Sequence, residues 1–277
     1  MLAKKSLGQN FLKSESALKK IISTGNISAG GTILEIGPGM GALTEYLLAT
    51  DANIISIEAD IEMINFLKQR FAKEISTEKL KLIHGDILEF DIEKFNTEKS
   101  RNFLQKNIAS GQSFEKYKLI ANIPYYITGE IIRKFLSSNN QPTDMVLLVQ
   151  KEVADRICAK DGKESLLSIS VKTYCDPKII QTVKAGSFVP APKVDSAIIH
   201  LKNISKSFFE KNKITEKEFF KILHAGFAHK RKMLFSNIKK SKLMSTEEIE
   251  KVIKKSGTNK KIRAENLKPE DWLCFFD

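Results

Sequence analysis

Cysteine is scarce in this chain: three in 277 residues, at Cys158, Cys175 and Cys274. The number is odd and no Cys-x-x-Cys pair occurs, which argues against a disulfide framework and the common zinc patterns. Free thiols in a reducing compartment are the expectation. Histidine is as sparse. His84, His200, His224 and His229 show no ligand spacing with carboxylates or cysteines, so no metal is expected. No run of roughly 18 or more apolar residues occurs, and no membrane span is expected. The N-terminus carries Lys4 and Lys5 but turns polar at Gly8-Gln9-Asn10 without an apolar stretch. A secretory signal is therefore not expected, and the cytoplasm is the expected location. No internal repeat is evident, which argues against a solenoid.

Positive charge is plentiful, and it is unevenly placed. The formal net charge is +12. Residues 201–277 hold 19 Lys+Arg against 10 Asp+Glu, a net of +9, whereas the first 200 residues hold 26 against 23, a net of +3. A near-neutral body with a basic tail points to a polyanionic partner, although a merely solvated lysine-rich surface gives the same balance. Within the tail, Lys230, Arg231 and Lys232, with Lys239 and Lys240, read as a surface for phosphates rather than for base edges.

From residue 32 onward, short β-rich runs alternate with amphipathic helices. The spacing predicts strands over 32–36, 53–58, 80–84, 117–121 and 144–150, and helices over 42–49, 61–71, 129–137 and 151–158. This is the pattern of an α/β parallel sheet covered on both faces. A helix over 14–24 precedes it, with Ser14 as its cap. Residues 91–116 interrupt the alternation with a polar, charged excursion, in which one helical turn is expected around Phe103 and Leu104. Two more β-rich runs follow, at 178–184 and 196–201. Between them, Phe188-Val189-Pro190-Ala191-Pro192 excludes regular helix and central strand. Residues 202–213 look like a domain junction, and everything beyond reads as helix. Thr215 with Glu218 and Ser245 with Glu248 are capping-box patterns, and Pro269 suits the first turn of a last short helix.

Chemistry enters at Glu35-Ile36-Gly37-Pro38-Gly39-Met40-Gly41, which follows a strand and opens a helix. Gly37 and Gly39 let the backbone turn sharply and approach a ligand closely. Glu58 ends the next strand, where a carboxylate can take both ribose hydroxyls of an adenosine-containing cofactor. Nicotinamide, flavin and S-adenosylmethionine enzymes share this design. The spacing here is G-x-G-x-G, not the dinucleotide G-x-G-x-x-G. Asp86-Ile87, after the third strand, adds an acceptor for a cofactor adenine amino group, although Asp86 also suits a helix cap.

Asn122-Ile123-Pro124-Tyr125 follows the fourth strand, on the edge where open α/β sheets bind ligands. An adenine amino group is a poor nucleophile because its lone pair is delocalised into the ring. Acceptors aimed at both N–H bonds are needed more than a base. The Asn122 oxygen supplies one, and the Ile123 carbonyl, presented by the bend at Pro124, the other. The nitrogen lone pair is then free to face a sulfonium methyl, a matter of positioning and electrostatics. Tyr125 can stack on the purine, which is worth about 1–3 kcal/mol. Tyr126 reads as a packing residue. Phe188 reads either as a ring closing over the other face of the base or as ordinary core.

Together these motifs resemble those of the small-subunit ribosomal RNA adenine dimethyltransferases, the family linked to kasugamycin sensitivity. The resemblance spans nearly the whole chain. It rests on Ser6-Leu7-Gly8-Gln9-Asn10-Phe11-Leu12, the glycine loop, Glu58, Asp86 and Asn122-Ile123-Pro124-Tyr125. It rests also on Gln150-Lys151-Glu152-Val153-Ala154 and the stretch Phe188 to Ser196. The resemblance implies cofactor contacts at Asn10 and Leu12. It implies a Rossmann-like class I methyltransferase sheet of seven strands, the last antiparallel, over 1–203. A small all-helical, rRNA-binding domain follows over 204–277. It implies a monomer that transfers methyl groups from S-adenosyl-L-methionine to N6 of two adjacent adenosines near the 3′ end of small-subunit (16S) rRNA, in a maturing 30S subunit. The 91–116 excursion is longer than the family's usual connection.

Three alternatives stand beside this reading. The erythromycin-resistance type modifies one adenine of large-subunit rRNA; Gln150-Lys151-Glu152, Phe227 to Lys232 and Arg263-Ala264-Glu265 resemble the small-subunit family instead. A non-catalytic RNA-binding assembly factor on the same fold would tolerate loss of Asn122 or Tyr125, and both are intact. An oxidoreductase would need a hydride site, and no Tyr-x-x-x-Lys arrangement is evident near the sheet's end.

Overall fold

The computed structural model describes residues 8–93, 116–257 and 259–276. The helical turn expected around Phe103 and Leu104 lies outside the described residues. Packing divides the chain into two compact units: Met1–Ala154 with Lys178–Ile204, and Asp155–Pro177 with Ser205–Asp277. The break at Ile204/Ser205 falls within residues 202–213. The second unit also takes in Asp155–Pro177.

The first unit is built on a seven-stranded sheet of order β4-β3-β2-β5-β6-β9-β7. Its members are β2 (Thr32–Ile36), β3 (Asn53–Glu58), β4 (Leu80–His84), β5 (Tyr117–Asn122), β6 (Asp144–Gln150), β7 (Asp176–Val183) and β9 (Ser196–Lys202). Strands β2 to β6 pair in parallel. β9 runs antiparallel to β6, with Met145 opposite Leu201 and Gln150 opposite Ser196. The central strands are apolar on both faces, as Ile33, Leu34, Leu119, Ile120, Leu147 and Leu148 show by being almost wholly buried. A strand covered by helices on both sides needs such a run rather than alternation.

The connecting helices are α1 (Glu15–Gly25), α2 (Ala42–Leu48), α3 (Ile61–Arg70), α4 (Ala72–Ser76), α5 (Thr128–Ser137) and α6 (Lys151–Cys158). Ser14 caps α1 by accepting from the Ala17 amide, and Asp60 caps α3 by accepting from the Glu62 amide. The start of the 91–116 excursion is pinned to the segment after α5. The Glu93 carboxylate accepts from Ser138 and from the Asn139 amide, and Asn140 donates to the Ile92 carbonyl. A separate two-stranded ribbon joins β1 (Phe11–Leu12) to β8 (Phe188–Val189), with Leu12 opposite Phe188 and Phe11 opposite Val189. The sequence pattern does not predict this pairing.

The second unit is helical: α7 (Leu166–Lys172), α8 (Ser207–Asn212), α9 (Glu216–Gly226), α10 (Leu234–Ser241), α11 (Thr246–Ser256) and a final 3₁₀ helix over Pro269–Phe275. Both expected capping boxes form, at Thr215/Glu218 and Ser245/Glu248. Each leaves two fewer orphan amides at a helix start. Phe209, Phe219, Leu223, Leu234, Ile238 and Trp272 make its core, with Trp272 stacked on Phe227 at 5.6 Å. No disulfide joins Cys158, Cys175 and Cys274. Among the described residues, no helix is long and apolar enough to cross a membrane.

Candidate active site

Because β2, β3, β4 and β5 are parallel, their C-terminal ends open on one edge of the sheet. The glycine loop, Glu58, Asp86 and Asn122 each follow or end one of these strands. They line a single cleft together with Asn10, Leu12, Ile87, Ile123, Pro124 and Tyr125. The topology therefore assembles what the sequence spreads over more than a hundred residues.

The loop requires its glycines. Gly39 has φ +56° and Gly41 φ +82°, a region costly to residues with a Cβ. A Cβ on Gly39 would lie 2.9 Å from the Phe11 ring, and one on Gly41 would lie 2.6 Å from the Phe71 ring. Arg70 braces the loop from outside, donating to the Met40 carbonyl at 2.7 Å and to Glu45 at 2.6 Å.

Two buried glutamates face the cleft. Glu58 accepts from the Gly39 amide at 3.0 Å through one oxygen and from the Asp60 amide at 2.9 Å through the other. Burial raises its pKa against these bonds. Glu35, not singled out from the sequence, is only 1% exposed. Its Oε2 accepts from Thr44 at 2.8 Å and from Ser56 at 2.6 Å, while its buried Oε1 has no partner among the described residues. Burial pushes the Glu35 carboxyl up to about 7 despite the two hydroxyls. An acidic residue inside an otherwise apolar strand was the signal available in the sequence.

Asp86 is exposed and its Oδ1 accepts from the Leu88 amide at 2.8 Å, closing a turn over residues 87–89 rather than capping a helix. Ile87 and Leu12 are buried beneath the cleft. Asn122 donates from Nδ2 to the Asn10 carbonyl at 3.2 Å. Only the amide nitrogen can face a carbonyl, so this bond fixes which end of the amide is the oxygen. Asn10 itself donates to the Gly8 carbonyl. The Tyr125 hydroxyl meets Ser196 Oγ at 2.6 Å, and burial raises its pKa. The ring is thus anchored at its far end, with the rest of it on the cleft wall.

Phe188 and Tyr126 lie on opposite sides of the burial scale. Phe188 does not line the cleft: it is 2% exposed and belongs to the core beside Leu12 and Ile198. Its strand pairs with β1, and alternation turns Phe188 inward while Val189, 54% exposed, points out. Tyr126, expected to pack, is instead 63% exposed at the cleft margin. The five basic residues Lys230, Arg231, Lys232, Lys239 and Lys240 are all exposed on the second unit. Buried Asn237 holds their turn by donating to the carbonyls of Gly226 at 2.7 Å and His229 at 3.1 Å.

A parallel sheet closed by one inserted antiparallel strand, with a glycine loop and acidic strand ends at one edge, is the class I methyltransferase architecture. The solved dimethyladenosine transferase from Plasmodium falciparum superposes with a TM-score of 0.74 at 28% identity, over 96% of this chain and 95% of that one. The 23S rRNA methyltransferase ErmE shares the fold at a TM-score of 0.72 and 20% identity, over 96% of this chain and 98% of its own. The chain belongs to the ribosomal RNA adenine dimethylase family, whose model matches residues 1–277. Its relatives include proteins named ribosomal RNA small subunit methyltransferase A. The one from Mycoplasmopsis pulmonis is 38% identical over 279 aligned positions, covering 100% of this chain and 98% of the relative. The one from Dehalococcoides mccartyi is 36% identical over 274, covering 98% and 87%.

Proposed function

We propose that this protein dimethylates N6 of two adjacent adenosines near the 3′ end of 16S rRNA in maturing small ribosomal subunits. It works as a cytoplasmic monomer that draws on S-adenosyl-L-methionine. The observation that carries the reading is the Asn122 amide, oriented by the Asn10 carbonyl in the same cleft as Gly37, Glu58 and Asp86.

The residues present fit the cofactor. The unpartnered Oε1 of Glu35 is a buried acceptor suited to a positively charged methionine group. Glu58 would take the ribose hydroxyls, Asp86 and Ile87 the adenine, and the backbone of Gly37 and Gly39 the close approach, with Asn10 and Leu12 closing the near side. When bound, the cofactor supplies a sulfonium methyl for transfer.

The chain's own work is on the substrate base. Tyr125 stacks on the extruded adenine, its hydroxyl tethered to Ser196 so that the ring does not rotate away. The Asn122 oxygen accepts one amino hydrogen and the Ile123 carbonyl the other. Both bonds strengthen as the amino nitrogen pyramidalises and its hydrogens gain positive charge, so they favour the transition state over the ground state. After methyl transfer the extra proton on nitrogen leaves to solvent, because the product ammonium-like nitrogen is strongly acidic. The methyltransferase unit carries this chemistry, and Lys230, Arg231, Lys232, Lys239 and Lys240 on the helical unit contact rRNA phosphates.

The test is to incubate undermethylated small subunits with the protein and S-adenosylmethionine and to read rRNA fragments by mass spectrometry. Two adjacent dimethyladenosines in 16S rRNA are expected. Modification of large-subunit rRNA alone, or none, refutes the proposal.

A further inference from the structure

Tyr126 is large, aromatic and open to solvent beside a site built to receive a base. It occupies the 3₁₀ turn Tyr125–Ile127 directly after Pro124. Three residues per turn separate neighbouring side chains by about 120°. Tyr125 therefore faces into the cleft, tied to Ser196, while Tyr126 faces out, 63% exposed. One side of its ring is occupied: a Cβ built on Gly8 would lie 3.1 Å from the Tyr126 ring, so the ring lies against the Gly8 backbone. Its exposure belongs to the rest of the ring. The tyrosine is thus held along its Cδ1–Cε1 edge and, among the described residues, open over the rest of its ring.

Extruding a base from a strand costs a few kcal/mol, partly because its neighbour loses a stacking partner. A supported aromatic ring at the mouth of the base pocket restores such a partner, and any base offers a π face to it. We infer that Tyr126 is a stacking platform for the nucleobase adjoining the target adenine in the RNA chain. The inference rests on the reading of the cleft as an adenine-methylating site, and it assigns to the margin a second nucleotide that the cleft itself does not take. Tyr126 acts on binding and positioning of the RNA, not on the reacting nitrogen.

Tyr126→Phe and Tyr126→Leu separate this role from support of Gly8. Leucine keeps an apolar cover over the backbone and lacks the π face; phenylalanine keeps both. For Tyr126→Leu, kcat/KM toward undermethylated small subunits should fall by about tenfold, as expected for loss of one base–aromatic stack. Its affinity for S-adenosylmethionine should stay within about twofold of the parent, and Tyr126→Phe should restore kcat/KM. A Tyr126→Leu protein with undiminished kcat/KM overturns the inference. So does one whose cofactor affinity falls in step with kcat/KM, because Tyr126 would then only support Gly8. A single-stranded RNA carrying 2-aminopurine beside an adenine reads the contact without any methyl transfer. The parent and Tyr126→Phe should quench its fluorescence on binding, and Tyr126→Leu should bind without that quench. Equal quenching by all three removes the platform even if methylation proceeds. Quenching by the parent without methylation of subunits leaves the platform standing and removes the functional reading.

Discussion

Glu35→Gln tests how the cleft wall is stabilised, and its effect has a sign fixed by the structure. Glu35 is 1% exposed, with one oxygen bonded to Thr44 and Ser56 and the other without a partner among the described residues. Burial raises its pKa from 4.5 to about 7, a difference worth about 3 kcal/mol between protonation states. A carboxyl raised in the folded state stabilises the fold fully below its unfolded pKa. That stability is lost as pH climbs from about 4.5 through about 7. Glutamine has the shape of the neutral acid and does not titrate. At pH 5 the parent and the variant should therefore unfold at similar urea concentrations. By pH 8 the variant should gain about 3 kcal/mol relative to the parent. The measurement is urea unfolding of both proteins at each pH, read as a difference of differences, so that all other titrating groups cancel. Curves displaced equally at the two pH values refute the reasoning, as does a parent that gains relative to the variant at pH 8.

Three further variants probe the cleft and the basic surface. Asn122→Ala should lower methyl transfer by about a hundredfold or more, the scale seen when one oriented hydrogen bond is removed from a transition state. Cofactor affinity by calorimetry should stay nearly unchanged, and full activity would refute the role given to its amide. Replacing Lys230, Arg231 and Lys232 with glutamate should weaken RNA binding and flatten the slope of log affinity against log salt by roughly one unit for each phosphate no longer neutralised. A parent protein whose binding ignores salt would contradict the phosphate surface. Gly41→Ala puts a Cβ 2.6 Å from the Phe71 ring at φ +82°. It should cost about 1–3 kcal/mol in thermal or denaturant unfolding and loosen cofactor binding, whereas an unchanged midpoint would show that the loop yields.

What the sequence made legible was whatever depends on local period. The β-branched runs Thr32–Ile36, Asn53–Glu58 and Asp144–Gln150 carry their own boundaries because a buried parallel strand is apolar throughout and stops where charge or glycine begins. The capping boxes at Thr215 and Ser245 were legible for the same reason: the donor and acceptor lie three residues apart. The cleft residues were legible because parallel strands send their following loops to one edge. A motif placed after a strand is thereby placed in space. Pairings between distant segments carry no such signal. Phe11–Leu12 and Phe188–Val189 make only two-residue strands, and nothing in either stretch names the other. Yet that ribbon decides that Phe188 enters the core and Val189 does not. Asp155–Pro177 likewise joins the helical unit through partners after residue 204, which its own pattern does not reveal. Tyr126 turns on one residue of phase: in the turn Tyr125–Ile127 adjacent side chains diverge by about 120°, which sends the two tyrosines to different environments. Side-chain direction at a chain reversal is set by backbone hydrogen bonds such as Ile127 N–H to Pro124 C=O, not by hydrophobicity. It is at such reversals, where the local code is weakest, that this fold holds its reacting groups.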